Sequence, residues 1–392
     1  MTRPVRLLLP LLAALLLVAP AAGAKAPGGS AFYTPPSPLP GKAHGDMIWW
    51  RPLEAANNTR LPSSAANRLV LYRSVGVDGK PVAESGSLAI PRGRPPAGGW
   101  PVLAWTHGTT GIADRCAPTR MPRANDRYAN DVRAQLAGYL RAGYAVVAPD
   151  YEGLGTPGVH PYLIGASEGR SVLDGVRAAR KVDPDIGKTV AIMGHSQGGH
   201  AALWATAMAH SYTPELKLRA TVAYAPASHI KELASLLDAV RNPTALSALI
   251  ATIIRGADVA YPSLGIPSLL SDRAAALYPR VDDHCLNELD AADSWGGIAP
   301  SDILRPDVDR TPLLDAVEKS DPENLKIRTP VKILQGAADT TVFPPITDQL
   351  VNELRGKHAP VSYKKYPAIT HSGVVEAGRK DARAFVKRRI GR

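Results

Sequence analysis

Only two cysteines occur among the 392 residues, Cys116 and Cys285, so no Cys-x-x-Cys pair exists. The ten histidines are dispersed without a His-Glu-x-x-His spacing, and the sequence therefore carries no metal-site signature and calls for neither metal nor cofactor. No apolar run reaches the ~20 residues needed to span a bilayer, and no lipid-attachment cysteine or surface anchor is visible. Internal repeats are absent, and low complexity is confined to a proline-rich leader. The formal charge of +11 raises the question of nucleic acid, but basic residues are scattered and no recognition motif accompanies them. The one basic concentration, residues 379–392, reads as the solvated face of a last helix that turns Val375, Ala382, Phe385 and Ile390 inward. Solubility, or transient attraction to an anionic lipid surface, accounts for the charge better than nucleic acid does.

What is present begins with an export signal. Arg3 and Arg6 precede an apolar run over residues 7–18, and Ala22, Gly23 and Ala24 supply a small-residue cleavage site. Cleavage after Ala24 and a secreted location, extracellular or periplasmic, are expected. An exported chain meets an oxidising compartment, so a disulfide between Cys116 and Cys285 is expected, two unrelated buried thiols being the alternative.

The organisation predicted is a signal peptide at 1–24, a proline-rich extension at 25–40 lying over the surface, and a core in two parts, 41–228 and 327–392. A helical cap at 229–326 separates the two parts. Clusters of aliphatic residues on either side of Asp78-Gly79 predict a hairpin over 68–90. Strands at 101–106, 144–148, 189–193, 220–224 and 331–335 then alternate with helical patterns such as Val132, Leu136, Tyr139 and Leu140. Such alternation implies an α/β fold with a mostly parallel sheet covered on both faces by helices. The apolar stretch 245–254 reads as packed cap core, with an acyl-chain wall as the alternative.

Chemistry concentrates at Gly194-His195-Ser196-Gln197-Gly198, which directly follows the apolar strand 190–193 and directly precedes the helical run 201–204. A serine at so sharp a strand-to-helix turn projects from the carboxyl edge of the sheet, and the flanking glycines remove obstructing Cβ atoms. A hydroxyl needs a base, and the base an orienting acid, in the chain order Ser, Asp, His. Asp339, just past a late strand, and His371, in Ile369-Thr370-His371-Ser372-Gly373, occupy those places. Asp150 competes as the acid but reads as part of a structural turn, and His358 lies in a polar loop expected to be exposed. The oxyanion of a tetrahedral intermediate calls for two backbone N–H donors. Gln197 supplies one by position, and Thr109 in His107-Gly108-Thr109-Thr110-Gly111 is assigned the other, with Thr110 as the alternative. His107 reads as a loop-shaping hydrogen bonder.

These residues resemble the secretory lipase family of α/β-hydrolases. The resemblance rests on Phe32-Tyr33-Thr34-Pro35-Pro36 with Pro40-Gly41, on the 107–111 loop leading to Cys116-Ala117-Pro118, and on segments 144–155 and 194–199. Segment 335–344 with Asp339, and His371-Ser372-Gly373, complete it. It implies hydrolysis of acylglycerols and simpler acyl esters, a cap that forms an acyl-chain pocket against the sheet, and a Cys116–Cys285 bridge. The function expected is a monomeric, secreted serine carboxylic ester hydrolase acting through an acyl-enzyme. The alternatives are a polysaccharide or aryl esterase, a peptidase on the same triad, and a non-catalytic binding protein.

Overall fold

The computed structural model describes residues 26–391, and the expected signal peptide lies outside the described residues. Its centre is a nine-stranded sheet in the order β1-β2-β3-β5-β4-β6-β7-β8-β9. The first strands, β1 (Met47–Pro52), β2 (Ala66–Val75) and β3 (Pro81–Ile90), pair antiparallel, and β3 pairs antiparallel with β5 (Ala145–Pro149). The predicted hairpin is β2 and β3, closed at Gly79 with φ +80° and the Asp78 carboxylate accepting from the Lys80 amide. From β5 onward the pairing is parallel, through β4 (Trp100–Thr106), β6 (Ile186–His195), β7 (Lys217–Tyr224), β8 (Val331–Gly336) and β9 (Val361–Tyr366).

Side chains that alternate along each strand feed two different cores, as the period of two requires. On β4, Leu103 and Trp105 face one core while Val102 and Ala104 face the other. The first is completed by Leu136 and Tyr139 of α1 (Arg127–Arg141), joined later in the chain by Val374, Val375, Ala382 and Phe385. The second takes Val172 and Val176 of α2 (Gly165–Val182) and Ala201, Ala202 and Ala205 of α3 (Gln197–Tyr212). Each fully buried Leu, Ile or Val among them contributes about 1.5–3 kcal/mol against an exposed reference. The helix α1 is started by Asp126, whose side chain accepts from the Ala129 amide.

Between β7 and β8 the alternation stops, and six helices follow: α4 (Ile230–Leu237), α5 (Leu246–Ala260), α6 (Asp272–Leu277), α7 (Arg280–Asp283), α8 (Leu286–Leu289) and α9 (Thr311–Glu318). They share their own core, in which Ala248, Ala251 and Ile254 of α5 pack with Trp295, Ile298 and Leu313. Ile112, Tyr162 and Leu163 from loops at the sheet edge enter the same core and seat these helices over that edge. The chain closes with α10 (Pro344–Gly356), β9, α11 (Val374–Ala377) and α12 (Arg379–Ile390). Within α12, Ala382, Phe385 and Val386 are the buried face.

One expectation fails at the N-terminus. The segment read as a surface extension drives Phe32 and Tyr33 into the interior against Trp49, Leu69 and Leu71. The Trp49 indole donates to the Phe32 carbonyl at 2.9 Å and the Tyr33 hydroxyl donates to the Thr119 carbonyl at 2.8 Å. Proline content explains why this segment forms no ladder, but two aromatic rings outweigh it in deciding burial.

Candidate active site

The turn from β6 into α3 holds Ser196 at φ +59°, ψ −121°, a conformation costly for a residue with a Cβ. The neighbouring glycines are demanded by contact. A Cβ on Gly194 would stand 1.8 Å from Thr106 Oγ1 and one on Gly198 would stand 1.9 Å from the Thr106 carbonyl oxygen. Thr106 uses the closeness, its hydroxyl donating to the Gly198 carbonyl at 2.6 Å, so the end of β4 is bonded to the turn. The Ser196 amide donates to the Tyr224 carbonyl of β7 at 2.9 Å. Ser196 is thereby fixed at the carboxyl edge of the parallel strands, partly exposed at the junction of β4, β6 and β7.

The structure brings Asp339 and His371 together. His371 Nδ1 lies 2.7 Å from Asp339 Oδ2, with the carboxylate buried and the imidazole still reachable from outside. Asp339 is held from three other sides: Gln335 Nε2 donates to Oδ2 at 2.9 Å, and the Thr341 and Val342 amides donate to Oδ1 at 2.8 and 2.9 Å. The loop bearing His371 lies tightly on the end of β8, where a Cβ on Gly336 would meet the Ile369 carbonyl at 2.2 Å. The His371 ring packs against that of His195, the residue before Ser196, with centroids 4.5 Å apart and the planes tilted by 46°.

The competitors are placed elsewhere. Asp150 is fully buried and saturated by the Ser85 hydroxyl at 2.7 Å, the Thr119 amide at 3.0 Å and the Thr119 hydroxyl, which ties the end of β5 to β3. His358 is exposed. His107 bonds its own loop, Nδ1 to the Gly108 carbonyl at 2.8 Å, and burial pushes it below the usual histidine range.

Thr109 and Thr110 sit at the same edge. The Thr109 hydroxyl pairs with the Tyr162 hydroxyl at 2.6 Å, whereas Thr110 Oγ1 is buried without a hydrogen-bond partner. The Thr110 carbonyl accepts from the Leu286 amide at 3.0 Å, beside the Cys116–Cys285 disulfide, whose Cα atoms are 5.5 Å apart. Gly111, at φ +125°, lets the loop pass the bridge, since a Cβ there would stand 3.0 Å from Cys116 Sγ. The disulfide thus anchors the 109–111 loop to α8.

Beneath the turn lies a buried polar network that sequence reading missed. Gln197 Nε2 donates to Glu168 Oε1 and to His160 Nε2, each at 2.8 Å. Glu168 Oε2 accepts from His200 Nδ1 at 2.7 Å, and His200 Nε2 donates to the Ser320 carbonyl at 2.8 Å. Two acceptors on one ring make His200 an imidazolium. Burial opposes that charge, but the Glu168 carboxylate overrides it and raises the pKa of His200. His160 stays neutral, pushed by burial down to about 4.

An apolar cavity lies at this edge and another among the helices α4 to α9. The first, of about 410 Å³, runs between the 107–110 loop, α1 and the sheet, lined by Leu61, Trp105, Val132 and Leu136 among others. The second, of about 210 Å³, lies between α4, α5 and α9, where Leu233, Ile250 and Ile253 face it. Within the stretch 245–254, Ala248, Ala251 and Ile254 pack in the cap core, and Ile250 and Ile253 line the second cavity.

Residues 131–290 match the model of the secretory lipase family. The chain is 25% identical over 352 residues to a protein of Mycobacterium tuberculosis named a probable inactive lipase, covering 86% of this chain and 77% of that relative. It is 32% identical over 197 residues to lipase A of Moesziomyces aphidis, spanning 48% of this chain and 40% of that protein. Among solved structures, Candida antarctica lipase A in its closed state superposes with a TM-score of 0.76 at 22% identity, over 93% of this chain and 86% of that one. That likeness carries the fold. The matched family model and the lipase relatives point the same way: over residues 131–290 the chain is similar to the secretory lipases, and its fold is that of the α/β-hydrolases.

Proposed function

We propose that this protein is a secreted hydrolase of carboxylic esters in which Ser196 is the nucleophile, His371 the base and Asp339 the orienting acid. One observation carries the reading: the His371 imidazole, held at 2.7 Å by Asp339, packs against the ring of the residue that precedes the strained Ser196. Asp339 accepts a hydrogen bond from His371 Nδ1–H, which leaves Nε2 as the lone-pair nitrogen a base needs. In the cycle proposed, Ser196 Oγ attacks the ester carbonyl carbon while His371 Nε2 takes its proton. The carbonyl oxygen, now negative, is received by the Gln197 and Thr109 amides, each donor of this kind being worth about 3–4 kcal/mol. The carbon–oxygen bond to the alcohol then breaks, and His371 returns the proton to the leaving oxygen. Water deprotonated by the same imidazole attacks the acyl-serine, releasing the acid and restoring the Ser196 hydroxyl.

The apolar cavity beside the 107–110 loop supports acyl esters, acylglycerols included, as the substrate class. The leader of the sequence and the disulfide support an extracellular or periplasmic location. The mycobacterial relative's name favours a second reading, a fold that has lost catalysis. The test is fluorophosphonate labelling with p-nitrophenyl ester hydrolysis, from acetyl to palmitoyl, for the wild type beside Ser196→Ala. Labelling and turnover that both vanish in the variant support the hydrolase. An unlabelled, inactive wild type supports the second reading.

A further inference from the structure

We propose that His195, with Tyr128 behind it, is a positioning residue that holds the His371 backbone over Ser196. The inference rests on the proposed role of His371 and adds a part to that site. His195 is buried, 3% exposed, and both ring nitrogens are engaged. Nε2 lies 3.0 Å from the His371 carbonyl oxygen and Nδ1 lies 2.9 Å from the Tyr128 hydroxyl.

The chemistry of the partners sets the proton positions. A carbonyl only accepts, so Nε2 carries the proton. Burial, followed by the nearby His371 ring, pushes His195 well below the usual histidine range, so the ring is neutral and Nδ1 is an acceptor. Tyr128 must then donate, and burial pushes its hydroxyl up, out of range of ionisation at neutral pH. The result is a one-directional bridge, Tyr128 O–H to His195 Nδ1 and His195 Nε2–H to the His371 carbonyl. It links α1, the end of β6 and the loop after β9.

The bridge answers a need of the proposed cycle. His371 becomes an imidazolium at each proton transfer, with its ring 4.5 Å from that of His195. A charged neighbour there would oppose the transfer, whereas a neutral ring that spends its only N–H on the His371 main chain does not. The Ala338 amide donates to the Ile369 carbonyl at 2.9 Å and seats the loop on the end of β8; the His195 bond adds a hold at His371 itself, where Asp339 fixes the ring's Nδ1 and not the backbone. Misplacement of a reacting group by about 1 Å can cost 10²-fold in rate, which sets the scale of the effect.

The experiment compares Tyr128→Phe, His195→Gln and His195→Leu in the full-length protein. Two readouts are taken: kcat and KM on a p-nitrophenyl ester, and the downfield proton NMR signal of the His371 Nδ1–H bonded to Asp339. Gln keeps an N–H for the His371 carbonyl, whereas Leu fills similar space and offers none. Expected are a kcat loss of roughly 10- to 100-fold in His195→Leu with KM little changed, about a tenth of that loss in Tyr128→Phe, and recovery of most activity in His195→Gln. The NMR signal should persist in the Gln variant and broaden or vanish in the Leu variant. Equal losses in Gln and Leu that track a fall in Tm, or an unchanged NMR signal in Leu, would overturn the bridge. A wild type without esterase activity that still loses the NMR signal in Leu would count against the hydrolase reading and leave the bridge standing.

Discussion

Glu168 and His200 face each other at 2.7 Å with neither side chain exposed, beneath the turn that carries Ser196. Burial works against both charges and is outweighed on each side by the partner, so the Glu168 pKa is lowered and that of His200 raised. The stability from the His200 proton is fully present below pH 6.5 and is lost as pH climbs through the raised value. That from the Glu168 carboxylate is present above 4.5 and is lost as pH falls through the lowered value. Replacing His200 by Leu leaves the buried Glu168 carboxylate with neutral donors but no charged partner and should cost about 3–5 kcal/mol. Urea unfolding at pH 5.5 and at pH 9 checks the His200 part against a Glu168→Gln, His200→Leu variant in which neither group titrates: the wild-type advantage should be larger at pH 5.5.

Glu84 provides a second pH signature. Burial, reinforced by the nearby Glu152, pushes its carboxyl up to about 8. The unfolded chain gives up that proton near 4.5, so stability falls progressively as pH rises from there towards 8. Glu84→Gln removes this slope, and its midpoint of thermal unfolding should exceed the wild type's most clearly at pH 8. An equal shift at pH 4 and pH 8 would count against the assignment.

The close approaches at the turn make a steric prediction. Gly198→Ala puts a Cβ against the Thr106 main chain, which has no rotamer to offer, and should destabilise by about 3 kcal/mol or more. Gly356→Ala, with open space around it on α10, serves as the control and should change stability by less than about 1 kcal/mol.

Cys116→Ser with Cys285→Ser should cost about 2–5 kcal/mol in stability, the usual range for a native bridge. Because the bridge anchors the loop holding Thr109, kcat should fall by more than that of a variant equally destabilised far from the loop. Paired denaturation and ester-hydrolysis curves, with and without reductant, separate the two effects.

Asp339→Asn keeps the shape of the acid but favours the wrong His371 tautomer, and a loss of about 10³- to 10⁴-fold in kcat is expected. Near-normal turnover on a p-nitrophenyl ester would remove Asp339 from the proposed triad.

The turn at Ser196 was legible because its determinants are consecutive: strand, Gly-x-Ser-x-Gly and helix each leave a local pattern, and Gly194 and Gly198 are needed where the backbone crowds Thr106. The parallel sheet was legible for the same reason, since strands such as 101–106 announce themselves by short apolar runs. Phe32 and Tyr33 were misread because local proline content describes chain stiffness and says nothing of which neighbours a ring will find.

The amino-acid sequence by itself determined the α/β alternation, the Ser196 turn and the chain order of Ser196, Asp339 and His371, because each follows from near-neighbour sterics and hydrophobic period. Tertiary structure alone decided the contacts that support them. His195 meets the His371 carbonyl across 176 positions, Glu168 meets His200 across 32, and Cys116 meets Cys285 across 169. Such pairs leave no local pattern: a buried polar side chain must find a partner, but only packing of the sheet, helices and loops chooses which one.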